Sequence, residues 1–124
     1  MEDLQSAKEM QTLTQAFFEK GFVFEYTYQK GGDSSCVYIY RYKKGQSYFD
    51  LREVSGSTEM TFVVWTNGEY LFPNLKTRYK KEFRKFKIKH LFRRATRGEV
   101  RRFIAGLLNE QLSQNPSSFF GIKL

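Results

Sequence analysis

The 124-residue sequence is poor in the residues that build disulfides, metal sites and linkers: one cysteine, one histidine and two prolines. A lone Cys36 closes no intrachain disulfide, so the fold must rest on its core, and a reduced, cytoplasmic setting is expected. A single His90 excludes a multi-histidine metal site. Cys36 and His90 together offer two soft ligands, short of the four of a zinc set. Spacing alone leaves a Cys36–His90 nucleophile pair open, although a cysteine at a strand start usually acts as a small packing residue. No apolar run approaches the ~18 residues of a membrane span. The acidic start Met1-Glu2-Asp3-Leu4 lacks the apolar stretch of a secretory leader. No membrane partner is therefore expected.

Two further kinds of active site lack their residues. Gly31-Gly32 falls in a turn, without the GK[ST] or GxGxxG context of a phosphate loop. Asp50, Glu53 and Glu59 are the carboxylates available to a metal-dependent nuclease. No E-x-K follows them on an adjacent strand, and Asp50 and Glu53 lie on opposite faces of a regular strand. The expectation is a protein that is no enzyme and holds no cofactor, with a metal-dependent nuclease as the enzymatic alternative.

Apolar and aromatic residues are plentiful, at 40% and 18%. Leu, Ile, Val and Phe together exceed the roughly one-fifth share below which chains stay disordered. With no repeat and no Pro/Gly-rich linker, residues 1–112 read as a single α+β domain and 113–124 as an apolar tail. The expected architecture is an N-terminal helix, a four- to five-stranded antiparallel meander, and one or two C-terminal helices packed on the sheet.

The pattern predicts a helix over 3–19, capped by Asp3, with Met10, Leu13 and Phe17 at helical spacing and Gly21 just past its end. The period then changes to two. Strands are predicted at 22–28, 36–42, 47–54, 58–66 and 69–72. A turn over Lys30-Gly31-Gly32-Asp33, a type I′ turn at Asn67-Gly68 and a stop at Pro73 punctuate them.

The turn at Lys43-Lys44-Gly45 sorts the faces. A two-residue Lys44-Gly45 loop puts Lys44 at positive φ, which its Cβ disfavours. A three-residue loop with Gly45 left-handed avoids this and pairs Ile39 with Phe49, Val37 with Leu51 and Tyr40 with Tyr48. On that register Val37, Ile39, Phe49 and Leu51 form the core face, and Tyr38, Tyr40, Tyr42 and Tyr48 the other. A loop one residue shorter reverses the sorting and sets Tyr40 against Phe49.

After Asn74, a helix is expected with Leu75, Tyr79, Phe83 and Phe86 on one face. Residues 86–90 also alternate as a strand would. Thr96-Arg-Gly-Glu99 is a capping box. The helix it opens carries the stripe Val100, Phe103, Ile104, Leu107, Leu108 and Leu112.

The charge is uneven. Residues 76–102 hold thirteen Lys/Arg and two acids, a net of +11, while the remainder of the chain nets −3. Such a density costs self-repulsion that a polyanion relieves. Lys76, Lys80, Lys81, Arg84, Lys85, Lys87, Arg93, Arg94, Arg97, Arg101 and Arg102 are the candidate phosphate contacts. Tyr38, Tyr40, Tyr42 and Tyr48 are candidate base stackers, joined by Trp65 and Tyr70 if the later strands continue that face. If a helix covers these rings they are core instead. Residues 75–91 and 97–112 also have the lengths of a helix-turn-helix.

The order helix, strands, helix resembles that of double-stranded-RNA-binding domains. Strands followed by a helix resemble the single-stranded-DNA-binding transcriptional coactivators and Whirly proteins. The likeness is one of topology, which does not fix function, and Thr96-Arg-Gly-Glu99 departs from the lysine-rich last helix of the RNA-binding domains. The expected function is non-enzymatic binding of nucleic acid, DNA or RNA, with low sequence specificity. The alternative is an assembly module whose basic face docks an acidic protein. Phe119, Phe120, Ile122 and Leu124 of the tail either dock on the body or form a homodimer contact.

Overall fold

The computed structural model describes residues 2–31 and 35–124, without the side chains of residues 2–4. The Asp3 cap and the Gly32-Asp33 portion of the 30–33 turn lie outside the described residues. The element order is α1 (Glu2–Leu13), α2 (Gln15–Glu19), β1 (Val23–Lys30), β2 (Cys36–Lys44), β3 (Ser47–Val54), β4 (Met60–Thr66), β5 (Glu69–Leu71), α3 (Leu75–Arg78), α4 (Lys80–Lys89), α5 (Arg97–Gln114), β6 (Ser118–Phe119) and β7 (Ile122–Lys123). Strands β1 to β5 form an antiparallel meander in chain order, and α5 packs on it. This is the expected α+β architecture. Among the described residues, no helix is long and apolar enough to cross a membrane.

The helix predicted over 3–19 is broken at Thr14, whose φ is −121°. The Thr14 hydroxyl donates back to the Met10 carbonyl and accepts from the Tyr42 hydroxyl at 2.8 Å. Such back-bonding competes with the helical ladder and bends it. The break turns Phe17 into the centre of the core, with ring centroids 5.2 Å from Phe49 and 5.0 Å from Phe119. A second break falls at Tyr79, which separates α3 from α4. Residues 86–89 are helical, which settles the strand-or-helix ambiguity there.

The β2–β3 turn corrects the face assignment. Lys44 pairs with Ser47, so the loop is Gly45-Gln46, with φ +60° at Gly45. Glycine at the first central position is the demand of a type II′ turn. The loop is thus two residues long, one position further on than Lys44-Gly45, and leaves Lys44 in its strand without positive φ. The register sets Tyr40 opposite Leu51 and Tyr42 opposite Phe49. Tyr42 and Phe49 stack at 4.6 Å and 8°. The inner face is therefore Tyr40, Tyr42, Phe49 and Leu51, while Val37 and Ile39 belong to the outer face. The Asn67-Gly68 turn has both residues at positive φ, as a type I′ turn requires.

On the other side of the core, Ile104, Leu107, Leu108 and Leu112 of α5 are buried as the stripe predicted, with Val100 and Phe103 half-buried. The tail is not free. Strands β6 and β7 form a small hairpin that sends Phe119 and Ile122 fully into the core, while Phe120 and Leu124 pack at its margin. Two of the four apolar side chains offered to a subunit contact are thus used inside the protein itself.

Candidate nucleic-acid interface

The eleven candidate phosphate contacts of 76–102 divide into two groups. In the first, Asn74 caps α3 by accepting from the Thr77 N–H at 3.1 Å. That cap starts a helical stretch held by Leu75, Tyr79, Phe83 and Phe86. Leu75 and Tyr79 are buried, and the Tyr79 hydroxyl donates to Gln111 Oε1 at 2.9 Å. Phe86 stacks on Phe103 of α5 at 4.3 Å and 15°. With its apolar side so engaged, the helix turns Lys76, Lys80, Lys81, Arg84, Lys85 and Lys87 to solvent. Among the described residues none of these six takes part in an ion pair, and neither does exposed Arg94. Lys80 and Arg84, and likewise Lys81 and Lys85, are four apart and adjacent on the helix surface, so the four form one strip of like charge. Like charges at that spacing cost the helix a few tenths of a kcal/mol per pair. Beside α4 runs an apolar groove of about 490 Å³, walled by Met60, Phe62, Phe72, Leu75, Phe83 and Phe103, with Lys76 at its margin.

The second group is committed to internal partners. Glu53 sits on the inner face of β3, in register with the core, where an unpaired carboxylate is costly. Arg97 donates to it through Nε and Nη2, at 3.1 and 2.8 Å, and Arg101 Nη1 donates to its two oxygens at 3.2 and 3.0 Å. Burial lowers the basicity of both guanidinium groups, but the carboxylate outweighs it and leaves them raised. The Arg97 guanidinium also lies 4.7 Å over the Tyr38 ring. Arg101 reaches Glu9 of α1 at 3.4 Å, and Arg102 at 3.8 Å. Arg93 grips Glu99 with two bonds, at 2.9 and 3.0 Å.

These placements set four of the phosphate candidates apart from the rest. Arg97, Arg101 and Arg102 face Glu53 and Glu9 because the start of α5 abuts β3 and α1, and Arg93, in the turn before α5, pairs locally with Glu99. The start of α5 is, for the same reason, no open recognition helix.

Glu53, Glu9 and Glu99 are the residues that sequence reasoning missed as organisers of this charge. A signal did exist. Once Leu51 is placed inward, period two places Glu53 inward as well, and a buried acid needs a cation. Choosing between Arg97 and Arg101, 44 and 48 residues away, needed the fold.

The tyrosines separate too. Tyr40 and Tyr42 are fully buried beneath α1 and α2. Tyr40 donates to Ser6 Oγ at 2.8 Å, and burial pushes both phenols well above their usual range. Neither can meet a base, and Tyr38 is half-covered by Arg97. Tyr48 lies on the opposite, outer face. There its ring runs into Trp65 at 6.5 Å and 25°, Trp65 into Tyr70 at 4.7 Å, and Tyr70 into Phe72 at 6.5 Å. The Tyr48 and Tyr70 hydroxyls lie 3.2 Å apart. Tyr70 and Phe72 are exposed. Trp65 and Tyr70 therefore continue the face of Tyr48 and not that of Tyr38, Tyr40 and Tyr42. Phe72 belongs both to this row and to the groove beside α4.

The outer face centres on Asp50, which is fully buried under its own partners. Arg41 holds it with two bonds, at 2.8 and 2.9 Å, Arg52 adds one at 3.4 Å, and the Arg41 guanidinium lies 3.9 Å from the Tyr48 ring centre. Asp50 and Glu53 thus each satisfy two arginines on opposite faces. Among the described residues no three His, Cys, Asp or Glu side chains gather as a metal site would need. Cys36 lies 3.0 Å from the Tyr28 hydroxyl, whereas His90 engages Phe86 and Glu99, so the two do not pair.

Comparison with protein-family models, with curated proteins and with solved structures gives no match.

Proposed function

We propose that this protein binds nucleic acid, DNA or RNA, without catalysing a reaction on it and with low sequence specificity. The observation that carries the reading is the strip of exposed cations on α3 and α4 that, among the described residues, no carboxylate pairs with. Lys76, Lys80, Lys81, Arg84, Lys85, Lys87 and Arg94 hold phosphates through charge and counterion release. The folded protein bears the repulsion between these neighbours, and a polyanion removes it. On an unpaired strand, bases stack on the Tyr48–Trp65–Tyr70 row, which reaches through Phe72 to the groove that Lys76 borders; such stacking is worth about 1–3 kcal/mol per base. The absence of base-reading Asn and Gln among the α4 side chains fits phosphate-led binding.

The test is a salt titration of oligonucleotide affinity. A log–log slope of about −0.7 per phosphate on single strands, or about −0.9 on duplex, is expected. Binding that ignores salt, or no binding at low salt, refutes the reading.

A further inference from the structure

Phosphate binding leaves one feature of the basic segment without a purpose. Where α4 ends, Ile88 is 58% exposed, Leu91 63%, and Phe92 entirely so. Large apolar side chains gathered in water mark an interaction site. Phosphates reward none of the three.

The tip is also rigidly built. His90 Nδ1 lies 2.8 Å from the Phe86 carbonyl, and its Nε2 lies 2.9 Å from Glu99 Oε2. Glu99 also takes both Arg93 bonds and accepts from the Thr96 backbone N–H at 3.0 Å. Thr96 in turn caps α5 by accepting from the Glu99 N–H at 3.2 Å. Phe86, stacked against Phe103, anchors the near side and lies 4.5 Å from the His90 ring. The turn is thus tied at 86, 90, 93, 96 and 99. Leu91 and Phe92 project from it into solvent. Around them stand Lys85, Lys87, Lys89 and Arg94, all exposed and, among the described residues, without an ion pair.

We infer that the 88–94 tip docks the protein on an anionic lipid bilayer, with Ile88, Leu91 and Phe92 entering the interface and the flanking cations meeting the headgroups. An apolar tip ringed by Lys and Arg is what an interfacial anchor needs: burial rewards the side chains, and the negative surface rewards the ring. A purely electrostatic partner leaves the three side chains in water, whereas a bilayer takes up both features at once. The inference goes beyond the nucleic-acid reading and does not depend on it.

The test is co-sedimentation of the full chain with phosphatidylcholine vesicles, with and without phosphatidylserine, beside oligothymidylate binding. Binding is expected only to vesicles containing phosphatidylserine, weakening as salt rises. The double variant Leu91→Ser, Phe92→Ser keeps every charge, and because both side chains are exposed its circular dichroism and melting temperature should match the parent. It should lose vesicle affinity by about tenfold or more and keep oligothymidylate affinity unchanged. No binding to phosphatidylserine vesicles overturns the inference, as does vesicle binding that the double variant leaves intact. Loss of oligothymidylate affinity without any vesicle binding also overturns it and makes the tip a base-stacking wedge. If vesicles bind and oligothymidylate does not, this inference stands and the nucleic-acid reading falls.

Discussion

Residues 76–90 and 93–102 carry positive charge at similar density and use it in opposite ways. In the first stretch an apolar side settles on α5 and the cations are left exposed, without an ion pair among the described residues. In the second, four of the five arginines turn to Glu9, Glu53 and Glu99, and Arg94 alone remains free of an ion pair among the described residues. The first turn of α5 is thereby fastened to the sheet and to α1. The comparison teaches that a net charge of +11 read from a sequence is a sum of two quantities. One holds the fold together, and only the other is available to a partner.

The largest effect should come from the fastened half. Glu53→Gln leaves Arg97 and Arg101 beside a neutral amide, and urea unfolding should show a loss of about 3 kcal/mol. That is the low end for breaking a buried pair, because Arg97 remains partly solvated. A loss no greater than that of an ordinary surface change would erase the distinction between the halves.

The free half should show the reverse pattern. The variant Lys80→Gln, Lys81→Gln, Arg84→Gln, Lys85→Gln should lower single-strand affinity and flatten the salt slope by up to ~3, at ~0.7 per lost phosphate contact. Its stability should change by less than about 0.5 kcal/mol per site, and the change should be a gain wherever a like-charge neighbour is removed.

A smaller effect sharpens the account of the sheet face. Trp65 is the sole tryptophan, so its fluorescence should be quenched when oligothymidylate binds. Trp65→Ala should cost about 1–3 kcal/mol of single-strand affinity and leave duplex affinity alone. Quenching without that loss would move the bases off the ring row.

The smallest effect concerns pH. Hydrogen bonds from Arg93, then His90 and the Thr96 backbone, hold the Glu99 carboxyl well below the usual carboxylate range. A carboxyl depressed in the folded state contributes stability that is complete above its unfolded value of ~4.3. The contribution shrinks as pH falls below that value. The melting temperature of Glu99→Gln should therefore lie slightly below the parent at pH 7, and the gap should narrow steadily from about pH 5 downward. A gap that stays constant with pH would mean that Glu99 acts by packing alone.

Local signals carried much of this structure. Period two marked the meander, Asn67-Gly68 its last hairpin, Thr96 and Glu99 the start of α5, and the 100–112 stripe its buried side. Each is a short-range rule whose residues lie within a few positions of one another. The inward tyrosines escaped because one turn decided them. Reading Gly45 as the last loop residue instead of the first shifts β2 against β3 by an odd number of residues and exchanges the faces of β2. The candidate interface was half legible. The α4 cations were visible as a helix surface, whereas the pairing of Arg97 and Arg101 with Glu53 depends on contacts across more than forty residues that no local pattern announces.

The difference between the halves is tested most directly by one set of salt titrations. Oligothymidylate affinity is measured for the parent, for the four-site α4 variant, and for Arg93→Gln, Arg102→Gln, which removes two cations from the fastened half. The account predicts a slope flattened by up to ~3 in the α4 variant and unchanged in the other. Equal flattening per charge removed in both variants would contradict it, because the cations would then act as an undivided cloud.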